Sequence, residues 1–491
     1  MRHTTLFKFS SICIVIFVGA LSCLGQQTKS PAVSSSGKAD NSVVGDEHAA
    51  IGVTDESSSA KFQHTTNPDA QWYPEAGLGL FIHWGISTVE AKYGISWSMV
   101  AGRELARTRL TPEEIKKIVA THDWKSATTP RHYWSLAEKF NPDKYDPDVW
   151  LRAAKAAGFR YAVLTTRHHD GFALWPSAYG DFNTKNYMGG RDLVKQYVEA
   201  CRKNGLKVGL YYSPPDWHFT RKYHSFLYGG AKKRNPELPD LGLDLEPVDL
   251  PQPTPEEEQQ YRDYLRAQIK ELLTNYGKID LLWFDGKPDV ILIDEIRALQ
   301  PGIVVNDRMW GHGDFNTHAE RNLGEKRPAK DWWENCQVWA KSSWAYVDED
   351  YKPNSEILEQ FVRVRAWNGN FLLNVGPMAN GDLPPVAYDR MKEFGGWVHE
   401  NQEAVFGTTD IPDAEYANVP VTARPGVRYL QAVPSFQETT LELSGVKRPK
   451  SVLLLRNGMK LKYEWNKDTL KVELPKQLRT SLVDVVKVEL E

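Results

Sequence analysis

The amino-acid sequence predicts an α/β protein in which a (β/α)8 barrel is followed by a small C-terminal all-β sandwich. Amphipathic helices alternate with short apolar strands over residues 67–406, and short alternating strands separated by turns follow over residues 407–491. The length of 491 residues fits this pair of domains, because one ordinary domain holds roughly 100–200 residues. The composition, 41% hydrophobic and 25% charged, is that of a folded protein.

The helix–strand unit of the predicted barrel is repeated along the chain. Its clearest copy begins with a capping box from Thr254 to Glu257, has Pro255 at the first helical position and ends at Gly277. Such alternation indicates a parallel sheet, and so many units favour a closed barrel over an open sheet. The glycine-rich fingerprint of a dinucleotide fold is missing after every strand. The predicted helix–strand pairs are 148–157 with 161–166, 192–204 with 208–212, 254–276 with 279–284 and 355–367 with 371–375, and further strands are predicted at 78–83 and 303–306.

The first 24 residues have the pattern of a secretory signal peptide. Arg2 and Lys8 precede an apolar run over residues 9–24, which is too short for a confident membrane span. Residues 20–23 resemble a loose lipoprotein processing site with Cys23 as the acylated residue, and ordinary signal cleavage nearby is the alternative. Both predict an exported protein that is periplasmic, extracellular or lipid-anchored, with a lipid at Cys23 as its only expected membrane contact.

Residues 25–66 are expected to form a disordered, low-complexity linker. Serine triplets occur at 34–36 and 57–59, and no aromatic residue occurs over 25–61, so the stretch cannot bury enough apolar surface to offset its chain entropy.

Beyond the signal peptide the cysteines are Cys201 and Cys336, which are expected in a helix and a strand. Two buried free thiols are therefore favoured over one disulfide.

Charge and aromatic content narrow the range of functions. Basic and acidic residues nearly balance, 60 against 63, so the chain has no electrostatic footprint for nucleic acid. The 17 Trp, 21 Tyr and 18 Phe suit the apolar faces of sugars, but they also suit an ordinary core.

Polar and aromatic side chains follow every strand that the sequence predicts. In barrels the active site is built from residues at the carboxyl ends of the strands. These groups are therefore expected to converge at one mouth of the barrel. They lie at 83–84, 167–171, 211–217, 283–286, 306–308 and 374–376.

Asp285 is the candidate nucleophile, because a carboxylate at the end of an apolar strand could attack the anomeric carbon of a sugar. A helix cap or a hydrogen-bond acceptor for a neighbouring group is the alternative role. In a retaining glycosidase the partner acid lies roughly 5–5.5 Å away. Several carboxyl groups within 310–339 are candidates for this acid, namely Asp314, Glu320, Glu325 and Glu334.

His168 and His169 are adjacent, so on a strand their side chains would point to opposite sides and would not easily hold one ion. Hydrogen bonding to sugar hydroxyls is the preferred role, and a core position is the alternative.

The segment 219–253 follows a predicted strand and contains five prolines. It is interpreted as a lid or rim of the site, or alternatively as a solvated excursion.

Over residues 67–490 the chain resembles the retaining α-L-fucosidases of glycoside hydrolase family 29. The resemblance is carried by four motifs in order, FIHWG at 81–85, TTRHHDG at 165–171, WFDG at 283–286 and LLNVGP at 372–377. It implies an exo-acting enzyme that releases terminal α-L-fucosyl residues from glycans through a covalent intermediate, with neither a metal nor an organic cofactor.

The same resemblance implies roles for individual residues. Asp285 matches the nucleophile, Glu320 the general acid/base, and Glu334 a structural position. The implied substrate-binding residues are histidines, aromatic wall positions and an arginine, namely His83, Trp97, His168, His169, Tyr211, Trp283 and Arg308.

One departure from the family concerns the segment after the first strand. Family members commonly carry Glu-Trp-Tyr with the Glu near the sugar, whereas this chain has Ser96 before Trp97. A neutral hydroxyl cannot make the same charge-assisted hydrogen bond, which leaves an α-L-galactoside open as the substrate. Two other hypotheses are a barrel that binds glycans without cleaving them, and a metal-dependent hydrolase using His83, His168 and Asp285.

Overall fold

The computed structural model describes residues 64–125, 128–286, 288–309, 313–320, 323 and 331–491, and for residues 318–320 it describes the backbone only. The predicted signal peptide, Glu325 and most of the predicted linker lie outside the described residues. The linker prediction of 25–66 extends too far, because the ring of His64 stacks on Trp332 with centroids 4.4 Å apart. The backbone N–H of Thr65 also donates to Asp314 Oδ1 at 2.6 Å.

Strands are numbered along the described chain. The first ten are β1 (Leu78–Ile82), β2 (Tyr161–Arg167), β3 (Lys207–Tyr212), β4 (Asp240–Leu241), β5 (Pro247–Val248), β6 (Leu281–Phe284), β7 (Val304–Val305), β8 (Asn316–Glu320), β9 (Trp333–Val338) and β10 (Asn370–Val375). The remaining strands are β11 (Tyr416–Ala417), β12 (Val421–Arg424), β13 (Val427–Ala432), β14 (Thr440–Ser444), β15 (Pro449–Leu454), β16 (Met459–Lys460), β17 (Tyr463–Asn466), β18 (Thr469–Glu473) and β19 (Asp484–Leu490).

The helices lie mainly between the strands of the barrel. They are α1 (Tyr73–Ala76), α2 (Pro112–Thr121), α3 (Pro130–Ser135), α4 (Pro147–Ala156), α5 (Thr184–Tyr187), α6 (Leu193–Lys203), α7 (Gly229–Arg234), α8 (Pro255–Thr274), α9 (Ile293–Leu299), α10 (Asn354–Ala366) and α11 (Pro385–Val405). The capping box of α8 is present as predicted, with both hydrogen bonds between Thr254 and Glu257. Gly277 follows α8 with φ of 68°, a left-handed conformation that favours glycine.

Eight parallel strands form the barrel sheet in the order β7-β6-β3-β2-β1-β10-β9-β8. A parallel bridge between Asn306 and Phe315 joins the two outer strands, so the ring of strands is continued between β7 and β8. Strands that are neighbours in this sheet are also consecutive barrel strands in the sequence, except that the first, β1, lies beside the last, β10. This order is expected for βα units. The predicted barrel is therefore confirmed.

Strand β8 was not predicted, and β9 was expected only as a strand around Cys336, without bounds or a place in the barrel sheet. All six residues of β9 are buried, yet they include Glu334, Asn335 and Gln337. These polar side chains interrupt the apolar run by which a buried strand is recognised in a sequence. Their hydrogen bonds inside the barrel make the strand stable, and those partners become known only from the fold.

The barrel interior has its own apolar cluster, distinct from the layer between strands and helices. Helix α1 lies beside one end of it through Tyr73 and Ala76. The strand residues of this cluster are Phe81, Tyr161, Val163, Tyr211, Leu281, Trp283, Val304, Cys336 and Leu372. Cys201 and Cys336 are both buried free thiols, as predicted.

Two antiparallel sheets form the C-terminal part, which confirms the predicted all-β unit. One has the order β11-β14-β18-β17 and the other β12-β13-β19-β15-β16. Their shared core includes Leu430, Leu441, Leu470 and Val486. The indole of Trp397 on α11 donates to the carbonyl of Val483 at 2.7 Å, which ties this unit to the barrel.

The segment 219–253 is folded, so its interpretation as a solvated excursion is wrong. It contains α7, β4 and β5, and its Phe226 and Tyr228 are buried. The backbone N–H of Ala101 donates to Phe226 O at 2.8 Å, and the N–H of Tyr228 donates to Ala101 O at 2.8 Å. The long segments after β1 and β3 thus pair with each other beside the barrel mouth. Within the described residues, every helix is too short or too polar to cross a membrane.

Two adjacent glycines of α11 provide a test of helix packing. A Cβ on Gly395 would lie 2.7 Å from Ala157 Cα, whereas a Cβ on Gly396 would meet nothing within 4 Å. We expect Gly395→Ala to lower the free energy of unfolding by about 1–3 kcal/mol through overpacking. Gly396→Ala is the matched control and should raise it by about 0.5–1 kcal/mol through helix propensity. Equal effects in denaturant unfolding would contradict this packing.

Candidate active site

Asp285 lies directly after β6, at the carboxyl-terminal mouth of the barrel. Its backbone N–H donates to Tyr212 O at 3.1 Å, which continues the pairing of β6 with β3. Tyr211 OH donates to Asp285 Oδ2 at 2.5 Å, and the Arg308 guanidinium pairs with Oδ1. The Asp285 side chain keeps 13% of its surface exposed, while Arg308 keeps 3%. The carboxylate is therefore held from two sides and still open to a ligand.

Two stacked aromatic rings lie beneath this carboxylate. The ring of Trp283 is stacked on Tyr211 with centroids 5.5 Å apart and an interplanar angle of 16°. The guanidinium of Arg308 lies 4.5 Å from the Trp283 ring centroid, a cation–π contact. Tyr211 and Trp283 are both buried in the barrel interior. They form a floor under Asp285, where the resemblance implied an aromatic wall.

Glu334 holds this floor from below. Its Oε1 accepts the Trp283 indole N–H at 3.0 Å, and its Oε2 accepts Tyr161 OH at 2.5 Å and Tyr73 OH at 3.2 Å. Burial raises the pKa of Glu334 to about 7. Because this carboxyl group is enclosed in the barrel interior, Glu334 is excluded as the acid that protonates a leaving group at the mouth.

Asp314 is also committed to a structural role. Its side chain is fully buried, accepts the N–H groups of Thr65 and Val305 at 2.6 and 2.9 Å, and pairs with Arg297 at 2.7 Å. Of the four predicted acid candidates, Glu320 and Glu325 remain. Glu320 is the last residue of β8, in register with Cys336 of β9.

His83 has its proton on Nδ1. Asn374 Nδ2 donates to the carbonyl of Trp344 at 2.7 Å, so Asn374 Oδ1 is the atom that faces His83 Nδ1, 2.7 Å away. This oxygen only accepts, which requires an Nδ1–H on the imidazole. The ring of His83 lies 4.9 Å from Trp344 and 5.9 Å from His168, between centroids.

The position of the proton on His169 is assigned in the same way, from the contact of its Nδ1 with a serine hydroxyl. Ser213 Oγ donates to Pro215 O at 2.8 Å, so it accepts from His169 Nδ1 at 2.6 Å. His169 Nε2 is a buried atom without a hydrogen-bond partner and lies 3.5 Å from Asp285 Oδ2. Burial, with Arg308 nearby, lowers the pKa of His169 well below its usual value. The ring is therefore neutral and presents an acceptor beside the nucleophile candidate.

His168 lies on the same side of the site as His169, so the expectation of opposite directions is wrong. Strand β2 ends at Arg167, and the alternation of a strand no longer applies beyond it. His168 Nε2 lies 4.0 Å from Asp285 Oδ2, and its ring is nearly parallel to Tyr211 at 5.5 Å. Burial lowers the pKa of His168 well below its usual value.

Within the described part of the chain, His168, His169 and Asp285 bring three ligand-type atoms within 4.8 Å of one another. The metal hypothesis had named His83 in place of His169. Both oxygens of Asp285 are already engaged, by Arg308 and by Tyr211. A cation at this point would also lie close to the Arg308 guanidinium. These residues do not fit a metal centre.

Aromatic side chains border the mouth beside His169. Trp97 is half-buried and meets His169 edge-on at 5.5 Å and Trp217 at 5.1 Å, between ring centroids. Trp217 belongs to the predicted strand-end segment 211–217, but sequence analysis gave it no role of its own. Trp344 was missed entirely, because it follows β9, a strand whose end was not predicted. Any substrate at Asp285 would meet this border.

Ser96 is fully buried, and its hydroxyl contacts His168 Nδ1 at 2.7 Å. It also contacts Asp170, whose pKa burial raises to about 6. The serine that departs from the family pattern therefore lies behind a predicted sugar-binding histidine and not on the surface of the pocket.

Comparison with known proteins gives a consistent result. The alpha-L-fucosidase family model matches residues 49–403. The plasma alpha-L-fucosidase of Rattus norvegicus is 28% identical over 427 residues, covering 78% of this chain and 84% of the relative. Alpha-L-fucosidase isoenzyme 1 from Paenibacillus thiaminolyticus has a TM-score of 0.66 at 30% identity, covering 86% of this chain and 99% of that one. The Thermotoga maritima alpha-fucosidase solved with fucose has a TM-score of 0.61 at 25% identity, covering 85% and 96%.

The buried carboxyl group of Glu334 predicts a pH dependence of stability. Its pKa is about 7 in the folded protein against a reference value of 4.5, so its contribution is fully favourable below about pH 4.5. That contribution declines as pH rises through 7, by about 3 kcal/mol in total. We expect Glu334→Gln, which cannot ionise, to lose this part of the slope in denaturant unfolding.

The exposed Glu400 offers the matched control, since Glu400→Gln makes the same chemical change at the surface of the protein. A Glu334→Gln protein with the slope of the wild type would show that the pKa of Glu334 is the same in the folded and the unfolded protein.

Proposed function

Since the chain belongs to the alpha-L-fucosidase family, we propose that it hydrolyses terminal α-L-fucosyl residues of glycans with retention of configuration, using Asp285 as nucleophile. It is a glycoside hydrolase, and its substrates are fucosylated oligosaccharides or glycoconjugates. The observation that carries the assignment of Asp285 is its position between Arg308 and Tyr211, with two neutral histidines within 4.0 Å of its Oδ2.

The proposed reaction has two displacements at the anomeric carbon. In the first, a carboxylate oxygen of Asp285 forms a bond to this carbon while the bond to the leaving oxygen breaks, and that oxygen takes a proton from the acid. In the second, the same acid, now ionised, removes a proton from water as the water oxygen displaces Asp285. The ion pair with Arg308 and the hydrogen bond from Tyr211 hold this carboxylate in place for the attack.

Glu320 is proposed as the general acid/base. The family resemblance implies this role, and the burial of Glu334 and Asp314 within structural hydrogen-bond networks supports it by removing two competitors. Glu320 ends a barrel strand, and strand ends of this kind supply the catalytic residues of barrel enzymes.

Recognition of the sugar is proposed to depend on acceptors and apolar rings. His168 and His169 each present a neutral Nε2 beside Asp285, to which a sugar hydroxyl can donate. Trp97 supplies an apolar ring edge at the same mouth.

Export, with or without a lipid at Cys23, remains a proposal supported by the pattern of residues 1–24.

The nucleophile assignment predicts the behaviour of Asp285→Ala with an aryl α-L-fucoside. Loss of the attacking carboxylate should lower kcat by at least about 10³-fold. Added azide should restore turnover and give a β-fucosyl azide, because the small anion enters the face that Asp285 vacated. Release of nitrophenol and analysis of the product measure both effects.

Asp289→Ala is the control, since Asp289 pairs with Arg262 at the surface and should be replaceable without loss. A β-fucosyl azide that never forms, or an Asp285→Ala enzyme of undiminished activity, would rule out this nucleophile. A wild-type enzyme inactive on α-L-fucosides but active on α-L-galactosides would move the proposal to that sugar.

The acid/base assignment predicts a dependence on the leaving group. Glu320→Ala should lower kcat/KM by about 10²–10⁴-fold for a fucosyl oligosaccharide, whose alkoxide leaving group requires a proton. The loss should be much smaller for a nitrophenyl fucoside, which leaves readily without protonation. Glu325→Ala is the comparison variant. If Glu325→Ala shows this pattern and Glu320→Ala does not, the acid/base is Glu325.

A further inference from the structure

Ser96 lies at the centre of a buried hydrogen-bond network behind the sugar-binding face. It begins a short 3-10 helix, Ser96–Met99, in the segment after β1. Three groups of the motif that follows β2 lie within hydrogen-bond distance of its hydroxyl. They are His168 Nδ1 at 2.7 Å, Asp170 Oδ2 at 3.1 Å and the backbone N–H of Asp170 at 2.9 Å.

The donors and acceptors of this network can be assigned from chemistry alone. The Asp170 N–H can only donate, so Ser96 Oγ accepts from it. The ionised carboxylate can only accept, and it already takes Tyr133 OH on Oδ2 and Phe172 N–H on Oδ1, both at 2.9 Å. Ser96 has one hydrogen to give, for which Asp170 Oδ2 and His168 Nδ1 compete. The charged carboxylate is the stronger acceptor and receives it.

The state of His168 follows from this assignment. With its hydrogen committed to Asp170, Ser96 Oγ can only accept from the imidazole. His168 therefore carries its proton on Nδ1, and Nε2 is left as a lone-pair acceptor. That Nε2 lies 4.0 Å from Asp285 Oδ2, on the side of the site where the sugar would bind.

We propose that Ser96 is a positioning residue that, together with Asp170, holds His168 in the Nδ1–H tautomer, so that His168 Nε2 accepts a hydrogen bond from one hydroxyl of the sugar. Ser96 does not touch the sugar itself. The inference rests on the proposed fucosidase function, because the hydroxyl is that of the fucosyl residue bound at Asp285.

The isosteric change Asp170→Asn should reverse the direction of the hydrogen bonds in this network. The amide oxygen must face the N–H of Phe172, which puts the amide nitrogen against Ser96 and Tyr133. Ser96 then accepts from Asn at 170 and can give its hydrogen only to His168 Nδ1. The imidazole should therefore change to the Nε2–H tautomer, which can no longer accept from a hydroxyl.

The tautomer can be measured without any substrate. Long-range ¹H–¹⁵N correlation spectra of ¹⁵N-histidine-labelled protein, recorded at about pH 8 where the carboxyl group is ionised, distinguish the two nitrogen states. The missing signal in His168→Asn assigns the resonance. We expect Nδ1–H in the wild type, Nε2–H in Asp170→Asn and a mixture in Ser96→Ala. Ser98→Ala should match the wild type, since Ser98 Oγ bonds to the carbonyls of Gly94 and Ile95.

Activity measurements give a second test. Their expected result differs from the result of a purely structural role for Ser96. A set of aryl α-L-fucosides, each lacking one ring hydroxyl, measures the contribution of every hydroxyl to kcat/KM. For one position, removal should cost the wild type about tenfold but cost Ser96→Ala clearly less, because His168 Nε2 is no longer held entirely in the acceptor state. A structural defect would instead lower kcat/KM by one common factor for all substrates.

The outcomes separate this inference from the function on which it rests. A wild-type His168 in the Nε2–H state, or an unchanged tautomer in both Ser96→Ala and Asp170→Asn, would overturn the role of Ser96 even in an active fucosidase. A wild type that cleaves no α-L-fucoside would overturn the proposed function, whatever the tautomer.

Discussion

The geometry of the active site depends on a carboxyl group that is buried inside the barrel. Glu334 has no access to water, so its oxygens have to be satisfied by Tyr73, Tyr161 and Trp283. These donors come from α1, β2 and β6, and Glu334 itself lies on β9. One side chain therefore links four elements of the fold. The interaction fixes the indole on which Arg308 rests, and Arg308 in turn pairs with Asp285.

Above this floor the site combines one anion, one cation and neutral acceptors. Burial keeps the histidines beside Asp285 uncharged, so the positive charge of Arg308 is not reinforced by an imidazolium. A neutral sugar with several hydroxyl groups suits such a site, because it brings hydrogen-bond donors and no net charge. The second carboxyl group of the proposed mechanism comes from the other half of the barrel, where β8 ends at Glu320.

The border of the site is built in two layers that support each other. Trp97 and Trp217 face the histidines, and behind them the segment after β1 pairs through Ala101 with Phe226 and Tyr228 of the segment after β3. Both segments are long insertions beyond barrel strands, where loops carry function. Their mutual packing helps to fix the rings, together with hydrogen bonds to the segment that follows β2, such as the one from Trp217 N–H to His169 O at 2.8 Å.

The sequence by itself determined the alternation of helices and strands, the end of the strand before Asp285 and the polar groups that follow each strand. These are local properties, since periodicity, capping residues and glycines depend on near neighbours in the chain. Tertiary structure decided the rest. Strand β9 carries Glu334, whose partners lie on distant elements, so no local pattern revealed the bounds of this strand or its place in the barrel. The directions of His168 and His169, the burial of Ser96 and the enclosure of Glu334 by Tyr73, Tyr161 and Trp283 are also relations between segments more than 40 residues apart. Hydrogen bonds inside the barrel are formed between such segments, and they exist only once the ring of strands has closed.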